Sequence, residues 1–539
     1  MNELPDKQIS EEGTPPGTWR KIWEFPTYPL IAACLLALNI YVNNLSAFPN
    51  AAIIVRPVIL GILAGAMLTY GLSLLLRSWH RGGLLAAVLL LTLSYGDLAA
   101  TPIAKLIGQT TNFTIGSELP LLVIFLAVVT LSVLNRIPPV VTVAANVWAS
   151  FLLLVLLITW ASNWIMSDDG NPMPADTFAS AKAPNDRPDI YHITLDGYAR
   201  GDILRDYFGF DNAIFLGRIR SFGFAVSDRA ITPYNQTQLA MLSIFDGTYL
   251  YDSDTGKREA EINYRRRINE RFLESSTFKT LTRMGYRVAG TNTEYLALDI
   301  GRNEMIAPRP WSEMTLLELT VFDQSVLGLI ADRFGSLDPR TNHALSMIRD
   351  AYNAPFAQTL ERPVFLFTHQ LAPHRPFNIT RNGGRREMID LKDVSNFQNG
   401  LHGLRAEYVE GYTEKLRFIN DETAEYLQRL VTELPDPKIV IVHGDHGSAL
   451  HMRGEDIAVA CAKERYSPLL AVYSSDGLLQ ARLNDDFNLV NLYRLVFNTY
   501  FETDLPMLES KNYFAPYPEP SKHSPVGSEA FTEPCPSPG

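Results

Sequence analysis

Ten histidines occur in this 539-residue chain, and five of them, His369, His374, His443, His446 and His451, fall in two short windows. Each window follows a run of β-branched and apolar residues that reads as a buried strand. His446 sits beside Asp445 in Gly444-Asp445-His446-Gly447, and Asp196 ends a third such run. A divalent cation needs carboxylates and neutral imidazoles, three or four of them, held at rigid strand ends. Asp196, Asp445 and His446 form such a set, with glycines that would let the backbone bend around an ion. Singly each is weak, because an Asp after a strand is often only a turn residue.

A nucleophile can be sought in Thr232-Pro233-Tyr234-Asn235-Gln236-Thr237-Gln238-Leu239-Ala240-Met241-Leu242. Thr237 lies near the start of an apolar-periodic helix, where free N–H groups and the helix dipole favour an anion. The same position suits a plain N-cap, and the local residues leave both readings open. Thr232 and Ser243 are rival hydroxyls, although Ser243 falls in mid-helix.

The elements that must position these groups follow from periodicity. Strands are expected over 190–195, 224–226, 286–289, 364–367 and 439–442. A long helix before the last of them carries Tyr408, Tyr412, Leu416, Ile419, Leu427 and Leu430 at close to a 3.6-residue period. The alternation predicts an α/β domain whose mostly parallel sheet is sandwiched by helices. In such folds active groups collect at the carboxyl ends of the strands. Three of the expected strands end in polar clusters, at Asp196, at His369/His374 and at His443/Asp445/His446, and that coincidence is the physical argument for a site. His443 itself reads as structural. A helix over 488–501 is expected to close the domain. An apolar helix over 316–330 could approach a membrane or pack on the core. Arg265-Arg266-Arg267 reads as a solvated helix face.

The first 160 or so residues differ in kind. Apolar stretches cover 28–43, 57–76, 83–100, 119–134 and 139–161, and a spanning helix needs roughly 20 mostly apolar residues. Five in succession predict a bundle of five transmembrane helices rather than a cleaved signal peptide. With the N-terminus inside, Lys7, Arg20, Lys21, Arg77, Arg81 and Arg136 are cytoplasmic, against Arg56 and Lys105 outside. That asymmetry puts the N-terminus in the cytoplasm and everything after 161 outside it. The expected division is a cytoplasmic tail (1–26), a transmembrane domain (27–161), a linker rich in Asp, Pro, Ala and Ser (162–187), a catalytic domain (188–515) and a disordered Pro/Ser-rich tail (516–539). The formal charge of −11 argues against a nucleic-acid partner. Of the three cysteines, Cys461 and Cys535 could pair outside the cytoplasm, but a disordered tail around Cys535 argues against it.

The order strand-Asp, Thr at a helix start, His369-Gln370-Leu371-Ala372-Pro373-His374-Arg375-Pro376-Phe377 and then Gly-Asp-His-Gly resembles the alkaline phosphatase/sulfatase superfamily. It is most similar to sulfatase-like membrane transferases such as lipoteichoic acid synthase and the phosphoethanolamine transferases, which also place five spanning helices before an extracytoplasmic domain. The motif likeness covers about residues 188–470. It implies that Asp196, Thr237, Asp445 and His446 hold a divalent metal, Zn or Mn with Mg as a further option. It implies that Thr237 is the nucleophile, that His374 contacts the substrate phosphate or a second metal, and that His369 and His451 assist substrate binding. His451 follows Asp445-His446 at shorter spacing than in those families, which puts its role in doubt. Asp at 196, where some transferases have Glu, is nearer the phosphodiesterase branches. No Cys or Ser stands in a C/S-x-P-x-R motif, so a true sulfatase is disfavoured and phosphorus chemistry is favoured.

The resemblance and the membrane half together imply transfer of a phospholipid headgroup, phosphoethanolamine or phosphoglycerol, to an envelope glycan or lipid. This would happen at the outer face of a bacterial inner membrane, with the catalytic domain in the periplasm. The alternatives are a membrane-anchored phosphodiesterase or phosphatase that gives the group to water, and an inactive binding subunit.

Overall fold

The computed structural model describes residues 23–45, 48, 51–111, 137–165, 176–250, 261–291, 293, 298, 300, 313–334, 339–357, 360–386, 405–452, 457, 460–517, 519–532 and 535. The chain divides into two compact units. One takes in Met1–Asn44, Asn50–Ile165 and Thr315–Ser336, the other Leu45–Pro49, Met166–Met314 and Leu337–Gly539.

The second unit is built on a sheet of β1 (Asp189–Leu195), β2 (Ala225–Val226), β3 (Arg287–Gly290), β4 (Val364–Gln370), β5 (Lys438–His443) and β6 (Leu470–Ser474). Their spatial order is β2-β6-β5-β1-β4-β3. β1 lies between β4 and β5 and is parallel to both, and β3 is parallel to β4. Only β6 runs against its neighbours, β5 and β2. Every residue of β1, β4 and β5 is buried, which is why these strands read as continuous apolar runs rather than alternating ones.

Successive side chains of the central strands enter two different cores. Tyr191, Ile193, Leu366, Val440 and Val442 join one with Leu416, Ile419 and Leu427 of the Arg405–Glu433 helix. Ile190, Phe365, Phe367, Ile439 and Ile441 join the other with Leu239, Met241 and Leu242 of the Thr237–Asp246 helix. Helices therefore cover both faces, as the alternation predicted. Register brings the carboxyl ends level: Thr194 lies opposite both His369 and His443, and Leu195 opposite Gln370.

The Thr237–Asp246 helix is fixed at its far end by a buried ion pair. Asp246 accepts from Arg271 Nε at 3.0 Å and from the Ser276 amide at 2.9 Å, and the two charged side chains are 5% and 6% exposed. Removing one partner strands the other charge in the core, so Arg271→Ala is expected to cost about 3–5 kcal/mol in a denaturant titration. The double change Asp246→Leu/Arg271→Met should cost less than that single one.

The structure corrects three sequence expectations. The linker ends earlier than 187: Phe178 is fully buried and stacks on Phe497 with centroids 4.3 Å apart. The tail is not disordered throughout. β7 (Tyr513–Phe514) pairs with β8 (Ser524–Pro525), His523 is buried, and Cys535 forms a disulfide with Cys461. Proline and serine content misled because aromatic contacts hold this segment, including Tyr466 with Phe531. Finally, Thr315–Ser336 is not part of the α/β unit.

In the first unit the helices Tyr28–Asn43, Val55–Leu76, Trp79–Thr111 and Pro139–Ile165 contain four of the five apolar stretches. The stretch 119–134 lies outside the described residues. Among the described residues, two helices are long and apolar enough to cross a membrane, Ala51–Leu76 and Pro139–Ser162, and only 6% and 17% of their most apolar windows are buried. Soluble core helices would show the opposite. Asn146 caps the start of the first apolar helix: its Oδ1 accepts from the amides of Thr27 and Tyr28 at 3.0 and 2.9 Å, and its Nδ2 donates to the carbonyls of Trp23 and Phe25. The single helix expected over 316–330 is two, Leu316–Asp323 and Val326–Phe334. A capping box of Thr315 and Glu318 starts the first of them, and Glu318 also ion-pairs Arg56.

Candidate metal centre

The site is assembled where β1, β4 and β5 end together. Asp196 follows β1, and its backbone is sewn to the end of β4: its N–H donates to the Gln370 carbonyl at 2.9 Å and its carbonyl accepts from His374 N–H at 3.1 Å. Gly197 then turns with φ +70°, a left-handed conformation that favours glycine. Its amide donates to Asp445 Oδ1 at 2.9 Å, which ties the β1 loop to the β5 loop.

Gly444 and Gly447 serve differently from the sequence reading. Neither has a left-handed φ. A Cβ at Gly444 would lie 2.5 Å from the Tyr198 carbonyl oxygen, and one at Gly447 only 2.0 Å from that of Glu464. Close backbone approach, not a bend around an ion, is what excludes side chains there.

Ligand atoms of Asp196, Asp445 and His446 all lie within 4.8 Å of one another, and all three residues are buried. His446 Nε2 is 3.2 Å from Asp445 Oδ2 and 3.8 Å from Asp196 Oδ1. Its Nδ1 donates to the Gly447 carbonyl at 2.9 Å, so Nε2 presents a lone pair to the carboxylates. Burial, with the positive charge of Arg465 next, pushes the His446 imidazole down to about 4 and keeps it neutral. Burial would raise Asp196, but the imidazoles of His374, His369 and His446 around it hold the carboxyl well below the usual carboxylate range.

Asp196 Oδ1 and Asp445 Oδ2 are buried with no hydrogen-bond partner among the described residues. Carboxylate oxygens without a partner in a protein interior are costly. Two of them facing the lone pair of one neutral imidazole is an arrangement that a divalent cation satisfies and little else does. The residues present therefore fit a metal.

The geometry at Thr237 removes the cap reading. Gln236, extended at φ −118° and ψ 137°, is the N-cap, and Thr237 is the first helical residue. Its Oγ1 lies 3.2 Å from His446 Nε2, so the hydroxyl faces the acidic pair instead of capping the helix. The rival hydroxyls are committed elsewhere. Thr232 donates to the Asp445 carbonyl at 2.6 Å, and Ser243 to the Thr248 carbonyl at 2.7 Å.

The histidines separate by partner. His374 donates from Nδ1 to the Arg375 carbonyl at 2.8 Å, leaving Nε2 as the acceptor, and burial lowers its pKa. It lies against Gly197 on the same side as His446, since a Cβ on that glycine would be 3.7 Å from each ring. His369 is wholly buried in β4, with Nε2 3.4 Å from Asp196 Oδ2 and Nδ1 2.8 Å from Thr293 Oγ1. It braces the carboxylate from inside the sheet. His451 is not brought into the cluster of ligand atoms. Its Nδ1 lies 2.8 Å from Glu464 Oε2, which also accepts from the His451 amide, while Glu464 Oε1 accepts from Ser448 Oγ and the Leu450 amide. His443, as expected, is internal: Nδ1 bonds the Gly444 carbonyl and Nε2 lies 2.8 Å from Nε2 of His192, whose Nδ1 meets the Tyr493 hydroxyl at 2.7 Å.

Sequence reasoning missed Arg465 and read Thr232 only as a rival nucleophile, whereas both act on the site loops. No local signal marks either, because each matters through a backbone carbonyl distant in the chain.

No family model matches the chain, and no curated protein matches it. Among solved structures it is similar to the C-terminal periplasmic domain of EptC from Escherichia coli in complex with Zn, at 11% identity over 62% of this chain and 92% of that one, with a TM-score of 0.40. It is similar to the periplasmic domain of phosphoethanolamine transferase EptC from Campylobacter jejuni, at 13% identity over 62% and 94%, TM-score 0.37. It is also similar to the integral membrane lipooligosaccharide phosphoethanolamine transferase A from Neisseria meningitidis, at 11% identity over 88% and 96%, TM-score 0.37. Likenesses at such low identity and TM-score carry no argument about the chemistry of this chain.

Proposed function

We propose that the chain is a metal-dependent enzyme of the alkaline phosphatase/sulfatase superfamily that moves a phospholipid headgroup through a covalent Thr237 intermediate. One observation carries this reading: a partly exposed helix-start hydroxyl lies 3.2 Å from the imidazole of a buried cluster in which one oxygen of each carboxylate has no hydrogen-bond partner among the described residues.

Asp196, Asp445 and His446 would hold the ion, with Thr237 Oγ1 beside them. Zn or Mn suits the mixed carboxylate and imidazole set, and Mg is a further option. When bound, such an ion supplies charge neutralisation for a phosphate and acidifies an adjacent hydroxyl. The remaining work falls to the protein. Thr237 attacks phosphorus, forming a Thr–O–P ester as the bond to the departing lipid alcohol breaks. Free amides of the first turn of its helix face the phosphate oxygens. His374, with Nε2 open as an acceptor, would take the Thr237 proton and pass it to the leaving alcohol, and in the second half would take the proton of the acceptor hydroxyl as that oxygen attacks phosphorus and return it to Thr237 Oγ1 as the Thr–O–P bond breaks.

The setting supports a lipid donor. The positively charged loops and an odd number of spans, five in this reading, place the domain outside the cytoplasm. The Cys461–Cys535 disulfide suits an oxidising compartment such as the periplasm. A site tethered to the outer leaflet of the inner membrane meets headgroups at high effective concentration. Phosphoethanolamine or phosphoglycerol is then the group moved, and an envelope glycan or lipid the acceptor.

The test uses the full chain loaded with Zn or Mn, in vesicles of headgroup-labelled phosphatidylethanolamine or phosphatidylglycerol with an envelope glycolipid. Label on the acceptor, with diacylglycerol released, is the expected result. Free headgroup without acceptor product would mark a phosphodiesterase instead. Intact donor with either metal would leave a binding subunit and end the enzymatic reading.

A further inference from the structure

The loop entering Thr237 and the loop carrying Asp445 and His446 come from distant parts of the chain, so something must fix the distance between them. Arg465, the last residue of the short Ala462–Arg465 helix, is buried at 3% exposure. Each nitrogen of its guanidinium is used on a different segment. Nε donates to the Asn235 carbonyl at 2.8 Å, Nη1 to the Gly447 carbonyl at 3.2 Å, and Nη2 to the Tyr517 hydroxyl at 2.8 Å. These are the approach to the Thr237 helix, the far side of the Gly-Asp-His-Gly loop, and the C-terminal tail.

The grip on Gly447 is double. The Arg465 carbonyl accepts the Gly447 amide at 2.8 Å, while its side chain donates to the Gly447 carbonyl. That same carbonyl takes the Nδ1 proton of His446 and so sets the tautomer that turns Nε2 to Thr237. Asn235 is held from the other side by the tail: its Nδ2 donates to the Ala515 carbonyl at 2.9 Å and its Oδ1 accepts the Ala515 amide at 2.7 Å.

All three acceptors of Arg465 are neutral, and it makes no ion pair among the described residues. A buried guanidinium without a carboxylate is costly, and it is retained here where its fork geometry meets three divergent acceptors that a lysine ammonium on one stem cannot reach together. The geometry points to Arg465 as a positioning residue: it locks the Thr237 loop to the metal-loop backbone and so sets the approach of Thr237 Oγ1 to His446 Nε2. The inference rests on the proposed role of Thr237 for its catalytic consequence, but not for the lock itself.

Hydrogen exchange of the full-length protein, as wild type, R465K and R465M, separates the two. Amides of 235–240 and 445–449 are expected to exchange about tenfold faster or more in both variants, the loss of a charge-assisted bond being worth about 1.5–3 kcal/mol, with β1 and β4 unchanged. Zinc content should stay at the wild-type level. On the labelled phospholipid vesicles, kcat should fall about a hundredfold with KM little altered, the penalty of a nucleophile misplaced by about an ångström. Y517F, which removes one acceptor and leaves the other two, should show the same pattern more weakly. Unchanged exchange in the two loops, or exchange raised equally throughout the sheet, would overturn the lock. Loosened loops with unaltered kcat would overturn the positioning role. A wild type inactive on every donor would sink the proposed function, while the exchange data would still decide the lock.

Discussion

Thr237→Ala is expected to lower turnover by about a thousandfold or more while the protein keeps its fold and its metal. The large loss follows from removing the atom proposed to attack, since residues that act as a unit with a nucleophile cannot replace it. The small structural effect follows from position. Gln236, not Thr237, is the cap, and alanine is the better helix former, so the change in stability should stay within about 0.5 kcal/mol. Asp196, Asp445 and His446 are untouched, and metal analysis should show it. Thr237→Ser, which keeps the hydroxyl and loses only a methyl, should retain much of the activity. Equal turnover in Thr237→Ala and wild type would transfer the attack to water or another group.

The second large effect is expected at Asp445. Its Oδ1 is engaged by the Gly197 amide, and its Oδ2, with no partner, is 3.2 Å from His446 Nε2. Asp445→Ala should abolish zinc binding measured on the purified protein. Wild-type protein should also unfold at higher temperature with zinc present, because a ligand at a hundred times its Kd adds about 2.7 kcal/mol to the folded state. The variant's thermal midpoint should not respond to zinc. Asp445→Asn keeps an acceptor for Gly197 and removes one of two buried carboxylates. Without metal it should therefore be at least as stable as the metal-free wild type. A zinc-dependent midpoint that survives in Asp445→Ala would place the ion elsewhere.

How much of this was legible in the residues depends on which force decides each element. β1, β4 and β5 were readable because they are buried on both faces and must be apolar throughout. The inward face of the Arg405–Glu433 helix was readable for the same reason, with Tyr408, Tyr412, Leu416 and Ile419 all buried. β6 was missed. Leu-Ala-Val-Tyr-Ser is a five-residue run, and its antiparallel pairing with β5 and β2 makes it a strand. The tail was misread because composition is a statement about average burial, and Tyr517, His523 and Cys535 each owe their place to partners distant in the chain.

The site divides along the same line. Asp196, Asp445 and His446 stand at strand ends, so topology alone brings them together. His451 was tied to the site only by likeness to a later family His, at shorter spacing, and in the structure its Nδ1 lies 2.8 Å from Glu464 Oε2. Thr237 could not be separated from a cap without backbone angles. Arg465 had no signal at all, since its acceptors are the backbone carbonyls of Asn235 and Gly447 and the hydroxyl of Tyr517.

The central claim is that Thr237 carries the transferred group beside a metal held by Asp196, Asp445 and His446. Its most direct test is peptide mapping by mass spectrometry of the zinc-loaded full-length protein, acid-quenched during reaction with labelled phospholipid. The account predicts a phosphorus-linked headgroup on the peptide containing Thr237, absent from chelator-treated protein and from Asp445→Ala. Donor consumed with no adduct on that peptide, or with an adduct on a different residue, would contradict it.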